Sequence, residues 1–118
     1  MKDKKYSELL VISNIKKTIL YFDNILINFP KKDYILKNKI ELILYDLLEE
    51  IYMANYLYSN ERINKLFICL TKIKMLDFYI NICFKKKIIS YKKFINLCSI
   101  LNNIVKLIYG FINYEKSK

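Results

Sequence analysis

Lysine is the side chain through which this sequence can do chemistry, and the chemistry it offers is the capture of anions. Twenty of the 21 basic residues are lysine, and the formal net charge is +10. Lys31, Lys32, Lys37 and Lys39 follow the only proline, while Lys85, Lys86, Lys87, Lys92 and Lys93 surround a later break in the apolar pattern. An ammonium group is a compact point charge, suited to phosphate oxygens rather than to bidentate reading of bases. Arg62, Lys65 and Lys72 form a second, more scattered candidate set for nucleic acid. Ile, Asn and Tyr are abundant alongside Lys, a bias that A/T-rich coding also produces, so lysine placement is stronger evidence than lysine number.

Other chemistries lack their residues. The chain has no histidine, which removes the commonest general base and makes a zinc site unexpected. Gly110 is the only glycine, so no glycine-rich phosphate loop exists. Glu49 and Glu50 are adjacent, and neighbours one apart on a helix do not converge; with Asp46 they read as a solvated face. Cys69 and Cys83 would lie about 21 Å apart on one helix, too far for a disulfide. Together with Cys98 they read as small buried hydrophobes. Eleven tyrosines are expected mostly at half-buried positions with wet hydroxyls, and some are placed to stack on bases. The expectation is a protein that is no enzyme, with no catalytic residue, metal, cofactor or small-molecule substrate.

The elements that position the lysines are helices. At 118 residues, with one Gly and one Pro, the chain reads as one all-α domain, an antiparallel up-down-up-down four-helix bundle over 1–118. Helix spans of about 7–28, 31–57, 60–86 and 91–113 follow from the apolar spacing. The first helix carries Ile12, Ile15, Ile19, Phe22, Leu26 and Phe29 at 3,4 spacing, and Pro30 ends it. The second presents Leu36, Ile40, Ile43, Leu47, Ile51 and Ala54 inward, with Leu44 and Leu48 widening the stripe. Ser59 or Asn60 is the expected N-cap of the third, and Ser90 that of the fourth. The fourth repeats the 3,4 spacing through Phe94, Leu97, Leu101, Ile104, Ile108 and Phe111. Tyr114–Lys118 is expected to fray.

Loops of two to four residues force antiparallel neighbours, which brings both lysine-rich turns to one end. Nine lysines then share a pole with Asp33 as the only acid in those segments. Between Lys39 and Arg62 the acids Asp46, Glu49 and Glu50 meet no basic residue, so the molecule is electrically polarised. Lys85–Lys87 complement a helix C-terminus, but lysines at the starts of the second and fourth helices oppose the helix dipole. Charge set against the dipole points to an anionic partner, phosphate backbone first; plain solubility is the alternative.

One feature exceeds the needs of a lone bundle. Leu66–Leu70 is apolar all round the third helix, and Ile95, Ile100, Val105 and Leu107 lie outside the seam of the fourth. Extra stripes imply an oligomer interface or a partner groove, or else isolated surface apolars. No stretch approaches eighteen uncharged apolar residues, and the basic start Met1–Lys5 precedes a segment too short and charged for a signal peptide. The expectation is a cytoplasmic protein with no membrane association.

The chain resembles the accessory variability determinants of diversity-generating retroelements. The resemblance rests on Phe29-Pro30-Lys31 and Leu36, the Leu47-Leu48…Ala54 stretch, the Leu66…Leu70…Ile73 seam, the Lys87–Tyr91 turn and Ile108-Tyr109-Gly110-Phe111. It covers about 15–116. It implies a basic homopentameric barrel that binds a reverse transcriptase and its template RNA, with cDNA or an RNA/DNA hybrid as further ligands, and supports mutagenic cDNA synthesis. The chain departs from that pattern at Lys37, where a glycine is usual, and at Gly110-Phe111, which stand for a glycine pair and a tryptophan. The bundle proteins of ribosomal RNA intervening sequences share the Phe-Pro-Lys turn and are the second resemblance. A purely protein-binding oligomeric module also remains open.

Overall fold

In a computed structural model the chain forms α1 (Lys4–Leu26), α2 (Tyr34–Asn55), α3 (Ser59–Lys85) and α4 (Tyr91–Lys116), with one 3-10 turn, Lys31–Asp33, ahead of α2. The structure describes the backbone from residue 4 and the side chains from residue 10 onward. The side chains of the basic start Met1–Lys5, and of the four residues that follow, lie outside that range.

Among the described residues α1 packs on α2 and α4, α2 on α3, and α3 on α4, while the diagonal pairs do not meet. With short connections this is the expected antiparallel bundle. It measures 48 × 23 × 19 Å, one long helix plus its turns. Each helix buries a single stripe. On α3 this is Leu66, Cys69, Ile73, Leu76, Ile80 and Cys83; on α4 it is Leu97, Leu101, Ile104, Ile108 and Phe111. Steps of three and four residues keep each stripe facing the axis.

Two stripes keep the expected register but differ at their margins. On α2 the core positions are Ile40, Leu44, Leu47, Ile51 and Ala54, with Ile43 and Leu36 only half-buried. On α1 Val11 is fully buried, whereas Ile12 and Phe29 pack at the margin. In both places two adjacent apolar residues compete for one inward slot, and the one nearer the bundle axis takes it.

Cys69 and Cys83 are core residues as expected, whereas Cys98 is only half-buried. Burial, then the nearby Glu50 carboxylate, pushes the Cys69 thiol up to about 12. Burial and then Asp33 push that of Cys83 up to about 11. Thiols held protonated in this way are poor nucleophiles. By length and mean hydropathy (1.5) α4 is apolar enough to cross a membrane; in the bundle its fully buried stripe faces the other helices.

The helix ends differ from expectation at the pole away from the lysines. Tyr58, not Ser59 or Asn60, is the N-cap of α3, and its own side chain makes no capping hydrogen bond. Ser59 is already helical by hydrogen bonding, yet has a left-handed φ of 54°. The chain end does not fray at Tyr114: α4 runs to Lys116, and Glu115 is buried. At the other pole Ser90 caps α4 as expected, accepting the Lys93 backbone N–H at 3.2 Å.

Candidate nucleic-acid interface

The lysine pole is built on a rigid turn. At the end of α3 the Ile88 N–H donates to the Cys83 carbonyl at 2.8 Å and the Lys87 N–H to that of Phe84 at 3.0 Å. This crossed pair is a Schellman motif, which calls for a left-handed residue at the position Lys87 holds. Lys87 adopts φ 63° there, a conformation that favours glycine. The Phe84 ring stacks on Phe94 at 4.6 Å and meets Tyr91 at 5.9 Å, clamping the start of α4 onto the end of α3. Across the bundle Asp33 closes the 3-10 turn through its backbone N–H to the Pro30 carbonyl, 3.0 Å. Its buried carboxylate takes Lys86 Nζ at 2.6 Å, joining the two lysine-rich turns directly.

Pro30, Lys32, Asp33, Lys86, Lys87 and Ile88 line an open hollow of about 390 Å³ between the turns. Lys31, Lys32, Lys85, Lys86, Lys87, Lys92 and Lys93 are all exposed around it or on the adjoining first turn of α4. Lys37 is half-buried one turn into α2, and Lys39 is exposed beyond it. Asp33 engages one lysine and is itself buried, so the field over the pole stays positive.

Arg62 does not belong to this or any other anion surface. Its side chain is completely buried at the opposite pole. Nε donates to the Ala54 carbonyl at 2.8 Å, which also accepts the Leu57 N–H at 3.1 Å, and Nη2 donates to that of Asn55 at 2.9 Å, at the end of α2 where carbonyls lack intrahelical partners. Nη1 pairs with Glu115 Oε1 at 3.1 Å, and the guanidinium lies 5.5 Å from the Phe111 ring centre. Glu115 Oε2 accepts the Ser59 N–H at 3.2 Å, serving α3 in place of a local cap. Burial pushes the Glu115 carboxyl up, but the Ser59 N–H and the Arg62 guanidinium outweigh it and hold the group below its ordinary 4.5. The sequence carried no periodic signal for this knot, because Arg62 and Glu115 stand 53 residues apart.

Lys65 and Lys72 lie apart from the pole on α3, both half-buried. Lys65 is occupied by Glu50 at 3.2 Å. The surplus apolar surface lies where expected on α3 but not on α4. On α4 Ile100, Val105 and Leu107 pack against the core and only Ile95 of that set is exposed. The outer side of α3 does expose Phe67, Ile68, Met75 and Phe78, and α2 exposes Ile35, Leu42, Tyr45 and Tyr56.

No family model and no curated protein matches the sequence. The fold is similar to the crystal structure of a protein of unknown function from the S23 ribosomal protein family of Bacteroides thetaiotaomicron. The two share 15% identity and superpose with a TM-score of 0.80, over 91% of this chain and 98% of that one.

Proposed function

We propose that this chain is a non-enzymatic, cytoplasmic RNA-binding adaptor that grips phosphates with its lysine pole and recruits a protein partner. The observation that carries the reading is the lysine pole itself. Lysines sit at the starts of α2 and α4, against the helix dipoles, and one occupies the left-handed turn position where glycine is favoured. Local stability does not select the lysines at the starts of α2 and α4, nor a side chain at the left-handed turn, although the α3 dipole favours the charge of Lys87; a polyanion would favour all of them. In its finer form the reading follows the resemblance to accessory variability determinants: the partner is a reverse transcriptase and the ligand its template RNA or cDNA. The working unit is then a homopentamer, with the exposed Phe67, Ile68, Met75 and Phe78 of α3 as the assembly face. The ribosomal RNA intervening-sequence type is the second reading, supported by the fold shared with a member of the S23 ribosomal protein family.

The test is a mobility shift with RNA across a salt series. Binding should weaken with a log–log slope of about −0.7 per phosphate neutralised on single strands. Changing Lys85, Lys86 and Lys87 together to Gln should weaken binding to all sequences alike and flatten that slope, with helical content unchanged. Unchanged affinity and slope would make the pole a solubility feature. Light scattering at micromolar concentration tests the assembly; a monomer mass throughout removes it.

A further inference from the structure

The outer face of α2 is apolar where solvent meets it. Ile35, Leu42, Tyr45, Tyr52 and Tyr56 follow at steps of 7, 3, 7 and 4 residues. These steps place them on one side of a 3.6-residue helix, opposite the buried Ile40, Leu44, Leu47, Ile51 and Ala54. Ile35 and Leu42 are 61% and 62% exposed, Tyr45 55% and Tyr56 83%. Tyr52 is partly covered by Lys16 of α1, whose Nζ lies 5.6 Å from the ring centre. Along α2 itself the strip is bordered by acids, with Lys16 of α1 the basic residue at Tyr52, in a chain of net charge +10. Glu41 lies on one flank, Asp46 on the other, and Glu49 falls between Tyr45 and Tyr52 within the strip itself. No lysine or arginine occurs from Ile40 to Glu61. Asp46 and Glu49 are exposed and make no ion pair among the described residues.

We propose that this strip docks a basic amphipathic helix of the partner protein, which gives the adaptor reading above its protein-binding surface. An incoming helix whose apolar anchors recur at steps of three or four and of seven residues matches the steps of three and seven that separate Leu42, Tyr45 and Tyr52. Lysines or arginines beside those anchors would meet Asp46, Glu49 and Glu41, and the apolar contact would displace water from aromatic surface. A second copy of this chain is a poor occupant. A twofold contact through the strip would set Asp46 and Glu49 against their own equivalents. The outer face of α4 is mostly Asn, Ser and Lys, and that of α3 carries Asp77 beside Phe78. The acids also repel a nucleic-acid backbone, so the strip stays open while the lysine pole is loaded.

The test uses two synthetic helical peptides with the same leucine spacing, one flanked by lysines and one by glutamates, titrated onto the full chain by fluorescence anisotropy. The lysine peptide should bind at least about tenfold tighter. The double variant Asp46→Lys, Glu49→Lys should reverse the preference, and Leu42→Asp should abolish binding of both. All these positions are exposed, and unchanged circular dichroism confirms the fold. Equal affinity for the two peptides, or a preference that survives charge reversal, overturns the proposal. So does light scattering in which Leu42→Asp turns an oligomer into a monomer, which assigns the strip to a second copy. RNA affinity should not fall in the strip variants, and peptide affinity should not fall in the Lys85–Lys87 variant. Failure here is thereby distinct from failure of RNA binding.

Discussion

Lys87 at φ 63° and Arg62 at the far pole are cases in which one side chain works against or for its own backbone. A non-glycine residue in the left-handed region costs roughly 1–2 kcal/mol, partly offset by the chain entropy that glycine would add. Lys87→Gly should therefore raise stability by about 0.5–1 kcal/mol, read as a higher melting temperature. The same variant should bind RNA more weakly, with a flatter salt slope. A Lys87→Gly protein no more stable than the parent would mean that the turn is not strained. Arg62→Ala should lose about 3 kcal/mol, because it takes the guanidinium from the buried Glu115 carboxylate, which keeps Lys118 and the Ser59 N–H, and from the Asn55 carbonyl; denaturant titration reads the loss. Glu115 has a pH signature with a definite sign. Its carboxyl lies below the ordinary 4.5 in the folded chain, so its contribution is present above that pH and is lost as pH falls through the depressed folded value. The stability gap between the parent and Glu115→Gln should narrow on acidification below about 4.5. A gap that widens there would reverse the assignment.

At the level of elements, α4 has the clearest stripe, and its register is the one to test. Leu101 and Ile104 are 2% and 1% exposed. Replacing either by Asp buries an unpaired carboxylate, a loss of several kcal/mol against a marginal total. Such variants should be insoluble or lack the cooperative melt, and a wild-type melting curve would refute the register. The existence, type and order of the helices were legible in the sequence because apolar residues recur at three and four over long unbroken runs. So was the gathering of lysines at one end, which needs only short loops. The margin of the α2 stripe was not, since Ile43 and Leu44 are equally apolar and only packing chooses which is fully buried. The apolar part of the strip on α2 carried no sequence signal, because Leu42 and Tyr45 belong to no stripe that the 3,4 spacing picks out, and only the fold shows them exposed. Arg62 was misplaced for a deeper reason: a lone arginine on a helix looks solvated, and its partner and the carbonyls it serves come from three segments brought together by folding. Glu115 likewise turned an expected loose end into a structural one.

For the whole molecule, the arrangement of charge is more informative than its total. The lysine pole, the buried ionic knot at the opposite end and the acidic strip along one side occupy separate regions of one rod, so each can be altered without the others. The closed circuit of helix contacts has a further consequence. Because α1 packs on α4, the described beginning of α1 and the end of α4 are neighbours at the pole away from the lysines. Joined there by a short flexible linker and reopened between Leu26 and Lys31, the chain would thread α2, α3, α4 and α1 in turn. Every helix would keep both of its neighbours. The bundle is thus indifferent to where its thread starts, and circular permutation can move the chain ends from one pole to the other.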